Sequence, residues 1–248
     1  MNDARQRLDA VRARIAAAAE RTGRKSEDIL LLAVSKKQSA AAVGELARAG
    51  GRNFGENYVQ EARDKQRELQ SKELPTSGAG TATHSGSTLA PLVWHLIGPL
   101  QSNKAKLAAE LFDWVHTVDR SSLAQKLSQA AHLQAKTLKV LVQVNTSGEG
   151  TKSGVDPDGV EALCAEVTDL PNLELRGLMC VPEPQEDSEA SRGEFRMLNG
   201  LLHQVRDKLG LASMTELSMG MSADLEVAIE EGSTIVRVGT ALFGPRPA

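Results

Sequence analysis

Cysteine is nearly missing from this sequence: Cys164 and Cys180 are the only two in 248 residues, and they form no Cys-x-x-Cys pair. A disulfide framework and a cysteine-based zinc site are not indicated, and a reducing compartment, the cytoplasm, is expected. Charge of one sign is not in excess either. With 29 Lys+Arg against 32 Asp+Glu and a pI near 6.0, bulk charge gives no reason to expect a nucleic acid or an anionic membrane as partner. Long hydrophobic runs are absent, none approaching the roughly 18 apolar residues of a membrane span. The opening MNDARQRLDAVRARIAAAAERTG scatters charges along its length and lacks the form of a signal peptide. What is present is an ordinary globular composition, 41% hydrophobic and 25% charged, in a chain long enough for one α/β barrel.

The apolar residues follow two rhythms. Leu8, Val11, Ile15 and Ala18 recur at helical spacing among Arg, Glu and Asp, so the chain opens with an amphipathic helix that Gly23 ends. DILLLAVSK (28–36) is short, continuous and apolar, the pattern of a strand buried on both faces. Ser39 is placed to cap a helix over AAAVGELARAG, which Gly50-Gly51 stops. The same strand-then-helix order repeats, with candidate strands NFGEN (53–57), VWHLIG (93–98), WVHTVD (114–119), KVLVQVN (139–145), LELRGLMC (173–180), TELSMG (215–220) and TIVRVGT (234–240). These strands and the helical patterns between them predict a single (β/α)8 TIM-type barrel with an extra N-terminal helix; a doubly wound open sheet is the competing arrangement. One stretch breaks the order. SKELPTSGAGTATHSGSTLAP (71–91), rich in Gly, Ser, Thr and Ala, is expected to be a flexible surface loop with His84 solvated in it.

Functional groups of a barrel collect where its strands end. Ser218-Met219-Gly220-Met221-Ser222 after strand seven and Gly239-Thr240 after strand eight combine glycine with hydroxyl residues. Such a composition allows close backbone approach to a phosphate and offers free N–H groups; the plainer alternative is that Ser222 only caps the next helix. Arg237 shares a strand face with Ile235 and Gly239, whereas Val236 and Val238 take the other. A guanidinium so placed needs an anion, an acceptor, a water-filled mouth or an acid on a neighbouring strand. Lys36, at the end of strand one, is either a solvated strand end or a nucleophilic amine. Burial or a nearby cation lowers a lysine pKa from about 10.4 and frees the amine to condense with an aldehyde. Opposite a phosphate cradle and an inward arginine, the second reading is preferred. His95, His116, His132 and His203 have no metal-ligand spacing. His95 and His116 are expected to be strand residues hydrogen-bonded within the fold, either of them able to line the mouth. GPLQSNK (98–104) lacks the Gly-Lys-Ser/Thr ending of a nucleotide loop.

AVSK, FGENYVQE, WHLIGPLQSNK, VHTVD, LRGLMC, LSMGMSAD and RVGTALFG occur together in this order. The set resembles the pyridoxal phosphate homeostasis protein family over nearly the whole chain, from Lys36 to Gly244. The resemblance implies one domain over residues 1–248, similar to the N-terminal barrel of alanine racemase (the type III fold of such proteins). It implies that the barrel carries pyridoxal 5′-phosphate (PLP), derived from vitamin B6, as a Schiff base (aldimine) on Lys36. It further implies that Asn57 neighbours the cofactor ring, that Ser218 or Ser222 joins Gly239 and Thr240 around the phosphate, and that Arg237 faces the pyridine nitrogen. An arginine there disfavours protonation of that nitrogen and weakens the ring as an electron sink.

Alanine racemase carries a second, β-rich domain that supplies an opposing tyrosine, whereas this chain has only Tyr58 and stops at FGPRPA. The resemblance therefore implies storage and delivery of PLP in the cytoplasm, limiting free aldehyde, without robust catalysis. A weak PLP-dependent amino-acid racemase is the alternative. PLP-dependent apoenzymes are implied as recipients and a monomer as the working form, with Lys37, Lys104 and Lys152 left open as holders of a second PLP. The main departure from the family pattern is the 71–91 loop, which puts in doubt only local surface contacts.

Overall fold

Apolar runs flanked by helices on both sides have no exposed edge to offer, and here the sheet leaves none. In the computed structural model, which describes residues 3–71, 91–147, 153–183 and 187–244, eight parallel strands pair in sequence order and close into a barrel. They are β1 (Leu30–Val34), β2 (Asn53–Glu56), β3 (Val93–Leu96), β4 (Trp114–Val118), β5 (Leu138–Gln143), β6 (Leu173–Met179), β7 (Glu216–Ser218) and β8 (Ile235–Val238). Helix α1 (Asp3–Arg21) precedes them, and one helix follows each strand: α2 (Ala40–Arg48), α3 (Val59–Ser71), α4 (Ala105–Leu111), α5 (Ser121–Leu133), α6 (Val160–Thr168), α7 (Arg192–Leu209), α8 (Leu225–Glu230) and α9 (Thr240–Phe243). The seam is β1 against β8, with Leu32 opposite Arg237 and Ala33 opposite Val238. That pairing rules out the open doubly wound sheet.

Strand alternation divides the apolar side chains into two cores. Ala33, Phe54, Trp94, Val115, Val140, Val236 and Val238 face outward into the layer between strands and helices. Leu32, Trp114, Leu141, Met179 and Ile235 fill the barrel. All eight predicted strands are found, each shorter than the apolar run that announced it. The 28–36 run stops pairing as a named strand at Val34, and Lys37 takes the left-handed conformation at φ 62°, turning the chain toward α2. Ser39 caps that helix by accepting from the Ala42 N–H at 3.2 Å.

Helix α1 buries Leu8, Val11 and Ile15 and packs against α8 and α9, where it braces the loops after β7 and β8. Arg7 Nε donates to the Leu242 carbonyl at 2.7 Å. Arg14 grips both carboxylate oxygens of Glu226 at 2.6 and 2.8 Å and the Ser222 carbonyl at 3.0 Å. The predicted 71–91 loop, with His84, lies outside the described residues except for Ser71, which ends α3, and Pro91. Lys152 lies outside them too. Among the described residues no helix is long and apolar enough to cross a membrane, and no group of three or more His, Cys, Asp or Glu could hold a metal ion.

Candidate functional site

At the C-terminal mouth of the barrel lies a cavity of about 350 Å3, within the range of small-molecule sites. Lys36, Asn57, Ser222, Arg237, Gly239 and Thr240 all line it, together with apolar walls from Val34, Ile97, Val181 and Met221. Six of the seven residues singled out in the sequence thus meet in one place. Ser218 does not line the cavity; it is fully buried beneath Arg237. Of the two serines offered for an anion, Ser222 is therefore the one at the surface of the cavity. A larger cavity, about 630 Å3, opens between α1 and β1, lined by residues such as Leu8, Arg12, Leu30 and Gly51. None of the sequence candidates belongs to it, and its walls come largely from the opposite end of the strands.

Lys36 is half-buried and Lys37 exposed. The residues on either side of Lys36, Ser35 and Lys37, are fixed by a buried ion pair that sequence reading missed. Glu56, at the end of β2, accepts from Ser35 Oγ at 2.6 Å and from Lys65 Nζ at 2.5 Å. Lys65 also donates to the Ser35 carbonyl at 2.7 Å and to Glu61 at 3.2 Å, and Glu61 accepts from the Lys37 N–H. One lysine of α3 therefore fastens both loops, the one with Lys36 and the one with Asn57. Burial pushes the Glu56 carboxyl up, and Lys65 and Ser35 draw it back down. Gly98 presses on the second loop: a Cβ there would stand 2.4 Å from the Asn57 carbonyl oxygen. A signal for Lys65 did exist, because it falls on the stripe of Val59, Ala62 and Leu69 that α3 buries.

Arg237 forms the cavity floor. Its Nη1 donates to the Ser218 carbonyl at 2.6 Å and to Ser218 Oγ at 3.0 Å, and its Nη2 donates to the Cys180 carbonyl at 2.8 Å. These anchors are neutral oxygens, so an ion pair to an acid on a neighbouring strand is not what holds it. Burial lowers its pKa from the ordinary arginine value. Its Nε–H and second Nη2–H make no hydrogen bond among the described residues, which leaves donors for a ligand. Asp224 shapes the adjoining loop by accepting from the Met221 N–H at 2.5 Å. His95 and His116 lie deeper in the barrel and do not line the mouth. Cys164 and Cys180 are free and buried, and burial pushes both thiols up to about 12, far from nucleophilic use.

The arrangement is a primary amine on one wall, a fixed cation at the base, and hydroxyl and glycine residues on the other side. It suits a planar molecule with a reactive carbonyl and an anionic tail. The chain matches the family model "Alanine racemase, N-terminal domain" over residues 6–247. It is 48% identical over 246 residues to the pyridoxal phosphate homeostasis protein of Pseudomonas aeruginosa, covering 99% of this chain and 97% of that one. The chain belongs to the pyridoxal phosphate homeostasis protein family. A solved structure similar to it is that of PipY from Synechococcus elongatus PCC7942 with PLP bound, at 34% identity and TM-score 0.80, covering 98% of this chain and 100% of that one. Outside the family, alanine racemase of Clostridium difficile 630 shares the barrel with a TM-score of 0.72 at 16% identity, covering 100% of this chain and 58% of that one. That last likeness is one of fold alone.

Proposed function

We propose that this chain binds PLP in the mouth cavity and holds and releases it in the cytoplasm, limiting free aldehyde without robust turnover of a substrate. The carrying observation is that Lys36, Arg237 and the group Ser222, Gly239 and Thr240 line one cavity. PipY, similar in sequence and fold, has been solved with PLP bound, which supports the reading. PLP, when bound, supplies an aldehyde, an electron-storing ring and a phosphate. Lys36 Nζ would hold the aldehyde as an imine, its oxygen leaving as water. Arg237, with an N–H to spare, would meet the ring nitrogen, where a permanent cation would oppose protonation and dull carbanion chemistry. The Ser222 and Thr240 hydroxyls and the Gly239 backbone would hold the phosphate, and Asn57 would flank the ring. Among the described residues of the lining, Lys36 is the side chain suited to moving a proton, whereas racemisation needs an acid and a base on opposite faces. PLP-dependent apoenzymes are the recipients in this reading, and the chain acts as one domain and as a monomer.

The test is the absorption spectrum of the PLP-loaded protein before and after borohydride, followed by peptide mapping. The expected result is a band that disappears on reduction and leaves pyridoxyl mass on Lys36. A Lys36→Ala variant that keeps PLP with an unchanged spectrum overturns the proposal. Steady exchange of an amino acid's α-proton in deuterated water, lost in Lys36→Ala, favours a weak racemase instead.

A further inference from the structure

Beneath the cavity floor, polar side chains from five strands form a line inside the barrel. Arg237 Nη1 donates to Ser218 Oγ at 3.0 Å. Ser218 Oγ lies 3.0 Å from His116 Nδ1, His116 Nε2 lies 3.0 Å from His95 Nδ1, and His95 Nε2 lies 3.1 Å from Asn53 Oδ1. Four of the five residues are buried: Arg237, Ser218, His116 and His95. The two rings are neutral, since desolvation opposes a charge on either, with Lys139 facing His95, and His95 and Arg237 facing His116. His95 also stacks on Trp114 at 5.5 Å between centroids, and Lys139 lies over the same indole.

Neutrality makes the line directional. An amide oxygen only accepts, so His95 carries its proton on Nε2 and offers Nδ1 as an acceptor. His116 must then donate from Nε2 and accept at Nδ1. That acceptor receives a hydrogen bond from the Ser218 hydroxyl, which leaves a serine lone pair for the arginine, which only donates. We infer that Ser218, His116, His95 and Asn53 form a one-way hydrogen-bonded chain that fixes the Arg237 guanidinium under the cavity. His116 and His95 are positioning residues for the group that meets the ligand. Without the chain the Ser218 hydroxyl is free to rotate, and Arg237 loses one of its three anchors. The inference rests on the PLP reading only for what Arg237 meets; the chain itself belongs to the protein alone.

The test begins on cofactor-free protein with 15N-labelled histidine near neutral pH. Both rings are expected neutral with the proton on Nε2, and a 15N–15N coupling is expected across the His116 Nε2 to His95 Nδ1 hydrogen bond. A cationic ring, a proton on Nδ1 of either ring, or no coupling overturns the chain. His116→Phe, which keeps a ring but neither polar atom, is expected to speed hydrogen exchange at the Arg237 Nη1 hydrogens, as is Ser218→Ala; unchanged exchange in both overturns the positioning role. On PLP-loaded protein, His116→Phe is expected to weaken retention about tenfold and to move the absorption band, the scale of one lost charge-assisted hydrogen bond. His116→Gln, able to accept and donate, is expected to restore retention to within about threefold on the same reasoning. Wild-type retention and an unmoved band in His116→Phe contradict the inference. A wild-type protein that gives no borohydride-trapped Lys36 sinks the PLP reading instead, and the cofactor-free measurements still decide the positioning role.

Discussion

At the scale of single residues, the pair Lys36-Lys37 illustrates how far a sequence reaches. Strand alternation limits the inward-facing members of the pair to one. It does not say which, because the strand ends before either. The choice is made by Lys37, whose φ of 62° turns it into solvent and leaves Lys36 on the cavity wall. A side chain with a Cβ is strained in that conformation by about 1–2 kcal/mol, whereas glycine is not. Lys37→Gly is therefore expected to raise stability by about 0.5–1 kcal/mol, less than the strain released because glycine's greater unfolded-state entropy offsets part of it, while the Lys36 adduct forms as in the wild type. Urea titration and borohydride mapping check the two halves. Loss of the adduct would mean that the turn, rather than Lys36 alone, sets the amine's position. Arg237 was legible by the same alternation, down to its need for acceptors, but the identity of those acceptors, the carbonyls of Ser218 and Cys180, depends on strands 19 and 57 residues away.

At the scale of elements, the loops that build the site are held by the helices behind them. Lys65 of α3 reaches over to Glu56 and Ser35, and Arg14 of α1 holds the Ser222 carbonyl and Glu226. The apolar stripe of α3 betrayed Lys65 as a lysine on a buried face. Nothing local betrayed Arg14, whose partners lie more than two hundred residues along the chain. Removing one member of a buried pair leaves the other charge unpaired and typically costs about 3–5 kcal/mol, while replacing both with neutral groups is much milder. Lys65→Met is thus expected to lower stability by about that amount and to weaken PLP retention. The double variant Glu56→Gln/Lys65→Met is expected to recover more than half of the stability. Denaturant midpoints of the two variants provide the comparison. Equal losses would mean that the pair contributes packing rather than charge compensation.

At the scale of the whole molecule, eight strand-then-helix units were legible because each is local: apolar runs, caps and glycine stops lie within tens of residues. Closure follows from that repetition, whereas the polar line inside the barrel exists only once closure has brought β2, β3, β4, β7 and β8 around one axis. Its histidines looked like ordinary strand residues. Their burial has a consequence for the entire fold. Burial, with Lys139 nearby, holds His95 down to about 3, and burial with His95 and Arg237 holds His116 well below the usual histidine value of 6.5. Both native values are depressed, so below pH 6.5 the unfolded chain binds protons that the native barrel refuses. Stability is fully present above that pH and falls as the solution is acidified toward pH 3, by up to about 1.4 kcal/mol per pH unit for each ring. Glu56, pushed up by burial, works in the opposite sense: its contribution is lost as pH rises above the ordinary glutamate value of about 4.3. The histidine contribution is isolated by comparing wild type with His116→Gln in urea titrations from pH 7 to 5. The variant is expected to lose less stability on acidification, with a slope shallower by up to one proton. Parallel curves would mean that the ring at 116 is charged, or exposed, in the native barrel.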